Sequence, residues 1–161
     1  MRDRDLERLF AEHAAPLHGY LAYRTGDATL ADDLLGDVFE RLVRAKRRFD
    51  PRKGSEKAWI YAIALNCLRD HARRTQAEDR AVQRVAAGTG LEIPPAEQQV
   101  EDADLVARAL RVLSPPEQEV VALRYGADLR LADIARVIGE PEATARGRLY
   151  RALHKLQAEV A

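Results

Sequence analysis

Apolar positions along the chain recur at helical spacing and fall into two groups separated by a polar stretch. In the first group, Leu6, Leu9, Phe10, Leu17 and Leu21 predict a helix that stops at Gly26-Asp27. Leu34, Leu35, Val38, Phe39, Leu42 and Val43 repeat as pairs every four residues, which gives a second helix one apolar stripe. Asp32, Asp33, Asp37, Glu40, Arg41 and Arg44 occupy its other sides. The segment Phe49-Asp50-Pro51-Arg52-Lys53-Gly54-Ser55 breaks the pattern as a basic loop. A third helix is expected from about Glu56 to Arg74, with Ala58, Trp59, Ala62, Ile63 and Cys67 along its inner face. Three helices of this length can close a compact bundle.

From Thr75 to Gln99 the period fades, and Gly88-Thr89-Gly90 and Pro94-Pro95 mark a linker, with room for a short helix over Ala77 to Ala87. Helical spacing resumes with Leu105, Val106, Ala109, Leu110 and Leu113. Ser114-Pro115-Pro116-Glu117 has the form of a helix start, with a serine cap, prolines in the first turn and a glutamate able to complete a capping box. The helix it opens carries Val120, Val121 and Leu123 and ends near Tyr125-Gly126. Next come Leu131 to Gly139 and then Pro141 to Leu156, a pair that fits a helix-turn-helix. Ala135 would let the two helices approach, and Gly139 would permit the tight turn. The expected fold class is therefore all-α: two small helical domains, residues 1–75 and 101–161, joined by a flexible linker over 76–100.

Composition narrows the setting. No apolar run approaches the ~20 residues of a membrane span, and the charged N-terminus lacks the apolar core of a signal peptide. A single cysteine, Cys67, gives no internal disulfide framework. These features predict a soluble cytoplasmic protein without membrane insertion. Net charge is zero, which taken alone argues against a nucleic-acid partner, but the charge alternates along the chain. Residues 1–45 carry a net −3, 46–84 a net +6, 85–119 a net −5 and 120–161 a net +2. One strongly basic and one weakly basic segment thus alternate with acidic ones.

With these elements in order, the chain resembles the extracytoplasmic-function (group IV) bacterial sigma factors of the sigma-70 family along nearly its whole length. Ala31 to Leu42 is similar to the region-2 segment that binds the clamp helices of the polymerase β′ subunit, which implies polymerase contacts through Asp33, Asp37 and Arg41. Phe49-Asp50-Pro51 with Gly54-Ser55 resembles the loop that captures a flipped promoter base, and Ala58 to Asn66, continuing to Asp70 and Arg73-Arg74, resembles the helix that melts and reads the −10 element. Leu113 to Tyr125 and the helix-turn-helix after it resemble region 4, which reads the −35 element. The resemblance implies an alternative sigma factor that directs promoter-specific initiation, not an enzyme. Its implied partners are core RNA polymerase (β′ clamp helices and β flap), promoter DNA and an anti-sigma factor. No cofactor is implied. The acidic linker would thread a basic polymerase channel.

The physics of such a task fits these positions. Single-strand capture needs basic groups beside a pocket for an unstacked base. Arg52, Lys53, Asn66, Arg69, Asp70, Arg73 and Arg74 form the candidate −10 set, with Asn66 offering a donor and an acceptor to a base edge. Trp59 could stack on a base, but its spacing to Ile63 favours a core role, and Tyr61 on another face is a second aromatic candidate. Thr144, Arg146, Gly147, Arg148 and Arg151 form the −35 set on the second helix of the helix-turn-helix.

Several positions depart from the family pattern. Gly36 stands where glutamine is common and Gly147 where serine is usual. Glu56 and Leu65 replace a common aromatic and a common arginine, and Glu140 and Glu142 place negative charge where the DNA backbone should approach. These departures predict a −35 grip that leans on polymerase. They also leave open a sigma-like interaction module or mimic that binds a sigma regulator without initiating transcription. A metal-dependent enzyme finds little support. Cys67 and His71 are four apart on one helix, but no third or fourth ligand has suitable spacing, and a buried thiol beside a surface histidine is the expected arrangement.

Overall fold

The computed structural model describes residues 1–85 and 111–160. Among them all regular structure is helical. Helix α1 spans Asp3–Thr25 and α2 spans Ala28–Ala45. Between them Gly26 closes α1 in the left-handed conformation, at φ 71°, where a side chain would be strained. Asp27 then caps α2, its carboxylate accepting from the backbone N–H of Thr29 at 3.0 Å and of Leu30 at 3.1 Å. The predicted stop at Gly26-Asp27 is therefore both an end and a beginning.

A short 3-10 turn, Lys46–Arg48, leads into the basic loop. Asp50 organises that loop by accepting from the N–H of Arg52 at 2.9 Å and, through its carbonyl, from Lys53 at 3.0 Å. Ser55 starts α3 by accepting from the N–H of Ala58 at 3.1 Å. Helix α3 runs over Glu56–Val85, well past the end expected at Arg74, so the first part of the expected linker continues the helix. The short helix expected over Ala77 to Ala87 is, as far as Val85, the continuation of α3, and the largely exposed polar side chains of residues 75–81 gave no apolar period to show that continuity. The remaining linker positions, with Gly88-Thr89-Gly90 and Pro94-Pro95, and the stripe from Leu105 to Leu110 lie outside the described residues.

The first bundle buries Leu9, Leu17 and Leu21 of α1 against Ala31, Leu34, Val38 and Leu42 of α2 and against α3. On α3 the core face is formed by Ile60, Tyr61, Ala64, Leu65, Cys67 and Leu68. This corrects the expected inner face, of which Ala58 and Cys67 are buried while Trp59, Ala62 and Ile63 are only partly covered. Two apolar stripes share this helix, and the spacing of Trp59 to Ile63 picks out the outer one. Tyr61 is fully buried edge-on to Tyr20, with ring centroids 5.2 Å apart, so it is removed as a stacking candidate.

Gly36 lies on the exposed side of α2 with nothing within 4 Å of the position a Cβ would take. Gly36→Ala should therefore raise stability by about 0.5–1 kcal/mol through helix propensity alone, measured as a higher urea midpoint at an unchanged slope.

In the second part, α4 (Pro115–Val121) opens with the predicted capping box: Ser114 Oγ accepts from the N–H of Glu117 at 3.4 Å, and Glu117 Oε1 accepts from the N–H of Ser114 at 2.9 Å. A π-helical turn, Ala122–Gly126, ends it where expected. Helix α5 (Leu131–Ile138) and helix α6 (Glu142–Val160) form the helix-turn-helix, with Gly139 at φ 72° making the turn. Ile134, Ala135, Val137 and Ile138 pack against Ala145, Leu149 and Ala152, and α4 closes the other side with Val120 and Val121, joined by Leu123 of the π-helical turn. Lys155 of α6 reaches back to the capping glutamate, its Nζ 2.7 Å from Glu117 Oε1.

Candidate nucleic-acid interface

Of the −10 candidates, Asn66, Asp70 and Arg73 lie along one outward stripe of α3, while Arg52 and Lys53 are on the loop before it. Trp59, Ala62, Asn66 and Arg73 follow one another at intervals of three, four and seven residues, which keeps them on one face over roughly 21 Å of helix. The stripe begins at a cavity of about 160 Å³ whose walls include Phe49, Asp50, Gly54, Ser55, Trp59 and Ala62. Phe49 and Trp59 form its aromatic side, with ring centroids 5.1 Å apart and planes tilted by 47°. Trp59 thus rests one side on the bundle and turns the other toward the cavity. The core role expected for it describes only half of its contacts.

Arg52 and Lys53 stand exposed on the loop at the cavity, and Asn66 is exposed farther along α3. Arg69, Arg73 and Arg74 extend the basic track. Asp70 sits among them as a counter-charge. It pairs with Arg41 of α2 at 2.9 Å and with Arg73, and these two guanidiniums hold its carboxyl below the usual carboxylate range. Arg41, expected to face polymerase, is therefore tied to the helix expected to face DNA. Asp33 and Asp37 are exposed on α2 and lie two turns and one turn before Arg41 on the same face.

The −35 candidates lie on α6. Arg146 and Arg151 are exposed, Thr144 and Gly147 are partly covered, and a guanidinium nitrogen of Arg151 lies 3.4 Å from the position a Cβ on Gly147 would take. The two acids at the turn each engage an arginine of this set: Glu142 pairs with Arg146 at 3.2 Å and Glu140 with Arg148 at 3.7 Å. Two of the positive charges on this helix are thus partly spent inside the protein. Tyr150, 68% exposed, was missed in the sequence. It stands one turn after Arg146 on the outward face, and that spacing was the signal available for it.

The two parts touch one another. Helix α5 lies against α3, and Arg136 of α5 donates to the carbonyl of Lys53 and forms part of the cavity wall. Glu119 of α4 pairs with Arg24 of α1 at 3.7 Å and with Arg69 of α3 at 3.4 Å. None of these cross-contacts was legible as a local pattern.

As for metal chemistry, Cys67 is buried, which lifts its thiol pKa, and His71 contacts Thr75 at 3.2 Å. Among the described residues no group of three or more His, Cys, Asp or Glu side chains is placed to hold a metal ion. No described helix is long and apolar enough to cross a membrane.

Comparison with known proteins adds the context. Residues 9–78 match the family model for sigma-70 region 2, and residues 109–158 match that for sigma-70 region 4. The RNA polymerase sigma factor CarQ of Myxococcus xanthus is 31% identical over 157 residues, covering 94% of this chain and 86% of that protein. The ECF sigma factor BldN of Streptomyces coelicolor is 31% identical over 156 residues, and the match spans 92% of this chain but 58% of BldN. Among solved structures, the sigma factor RpoE bound to the anti-sigma factor NepR from Bartonella quintana superposes with a TM-score of 0.78 at 20% identity, covering 98% of this chain and 97% of that one. CnrH in complex with the cytosolic domain of CnrY gives a TM-score of 0.67 at 26% identity, covering 99% and 89%. The two matched regions, in their order and on the helices described, show that the chain belongs to the sigma-70 family of RNA polymerase sigma factors, within its extracytoplasmic-function group.

Proposed function

We propose that this chain binds core RNA polymerase through α2 and directs initiation at particular promoters, taking the −10 strand along α3 and the −35 duplex on α6. The observation that carries the reading is the continuous stripe from the aromatic cavity through Asn66 to the arginines of α3. A melted strand presents a flat base and a charged backbone, and this surface offers an aromatic pocket for the one and guanidiniums for the other. Arg52, Lys53, Arg69, Arg73 and Arg74 hold phosphates, Asn66 meets a base edge, and Asp70 keeps Arg73 and Arg41 in position. Asp33 and Asp37, exposed one turn apart, meet the β′ clamp helices.

On α6, Arg146, Arg148 and Arg151 with Thr144 enter the major groove and Gly147 permits close approach, while region 4 meets the β flap. Because Glu140 and Glu142 occupy two of these arginines, the −35 contact is weak in isolation and depends on polymerase to hold the domain on DNA. An anti-sigma factor, the kind of partner in the NepR complex, covers these faces until released. The domains doing this work are residues 1–75 and 101–161, with 76–100 between them.

The same pairing of acids with arginines favours a second reading, a regulator-binding mimic with weakened DNA contacts. In vitro transcription with core polymerase and genomic DNA, with start sites mapped, decides between them. Discrete promoter-specific starts are expected. Tight binding to a regulatory partner with no transcript from any fragment would establish the mimic instead.

A further inference from the structure

Resting on the promoter-binding role proposed above, we propose that Arg41, Arg73 and Arg74 form one phosphate site across α2 and α3. It takes the DNA backbone beside the captured strand, so Arg41 serves DNA and not polymerase. Of the three, Arg41 alone comes from α2. Its guanidinium is turned to α3, 2.9 Å from one carboxylate oxygen of Asp70, while the other oxygen takes Arg73. Arg74 lies exposed beside them and has no ion pair among the described residues. The four side chains line an open cleft of about 420 Å³. Asp37, one turn before Arg41, acts on it more weakly than Asp70 does, which ties this arginine electrostatically to α3.

Three positive charges around one negative leave the cleft with a net +2. Arg41 and Asp70 are 37% and 31% exposed, and a pair so open to water contributes little to stability. What it does is hold a flexible arginine in a fixed place. Each guanidinium carries five N–H donors, and a single carboxylate cannot use those of two. The donors left over suit a second oxyanion, and a phosphodiester is the one that DNA offers. A polymerase carboxylate would instead have to draw Arg41 away from Asp70 and break the arrangement. Arg73 stands roughly 21 Å along α3 from Trp59, which is about six base-pair rises of DNA. The phosphate therefore belongs to the duplex that flanks the melted segment.

The experiment uses the full chain loaded on core polymerase, with binding to a mapped promoter fragment titrated against salt. Arg41→Gln should weaken promoter binding about three- to tenfold and lower the log–log salt slope by about one unit. Its affinity for core polymerase should stay within about twofold of the parent's. Arg41→Lys keeps the charge and should keep the parent slope. Methylphosphonate linkages then neutralise promoter phosphates one at a time. One linkage, roughly six positions from the captured base, should cost the parent affinity and cost Arg41→Gln nothing further. Arg74→Gln, at an exposed position that holds no packing, should couple to the same linkage. Loss of polymerase affinity in Arg41→Gln overturns the assignment. So does an unchanged salt slope, or the absence of any linkage that couples to both arginines. Transcription is scored alongside. Promoter-specific transcripts from the parent without this coupling refute the site alone, whereas no transcript from the parent on any fragment refutes the promoter role.

Discussion

Replacing Trp59 by alanine should lower promoter-dependent transcription by roughly ten- to a hundredfold, while Trp59→Phe retains most of it. Stacking of one base on an aromatic side chain is worth ~1–3 kcal/mol, and each 1.4 kcal/mol is a factor of ten. Trp59 is suited to this because its ring is held against Phe49 at one edge of the cavity while the rest of α3 is fixed by a fully buried face. Since the ring is only half-buried, its loss removes some packing as well, and circular dichroism with thermal melting must show the bundle intact. The phenylalanine variant separates the two effects, as it keeps a π-face in the cavity with less bulk. Full transcription by a folded Trp59→Ala protein would remove the cavity from the proposed mechanism, and loss confined to the melting of the −10 region, with polymerase binding preserved, would place it there.

The largest expected effect on stability is at Glu117. This carboxylate is buried at 4% exposure, closes the capping box of α4 and receives Lys155, and its pKa is held down to about 2, first by the lysine and then, against the cost of burial, by Ser114. A group depressed in the folded state stabilises the fold fully above its unfolded value near 4.5, and that contribution fades as pH falls toward about 2. Glu117→Gln keeps the shape and an acceptor for Ser114 but loses the charge. We expect a cost of about 1.5–3 kcal/mol at neutral pH, the range for hydrogen bonds to charged groups. The variant's stability should also change less between pH 5 and pH 2 than that of the parent. Urea titrations across that range measure both, and parallel curves for the two proteins would show that Glu117 titrates alike folded and unfolded.

How much of this could be read from the sequence depended on whether a feature is local. The stop at Gly26-Asp27, the Ser114 to Glu117 box and the Gly139 turn are each made within a few residues, and each stands where its motif put it. The stripe of α2 was legible for the same reason, since only one of its faces is apolar. Helix α3 was harder because it carries two apolar stripes, and spacing alone does not say which faces inward. Trp59 and Ala62 were assigned to the core, whereas Ile60, Leu65 and Leu68 hold it. The candidate arginines were found by type, but not what holds them. The pairings of Arg41 with Asp70, of Arg69 with Glu119 and of Arg136 with the Lys53 carbonyl join segments far apart in the chain, where no periodicity connects them.

The burial of Cys67 has a consequence for how an oxidising challenge could reach this protein. The residue is 1% exposed, and burial raises the thiol pKa, so little thiolate forms at neutral pH and peroxide finds little to attack. The chain has no other cysteine with which to form an internal disulfide. Through its own thiol chemistry, then, this protein is built to be deaf to oxidants, and any such stimulus must be heard by another molecule and passed on by contact.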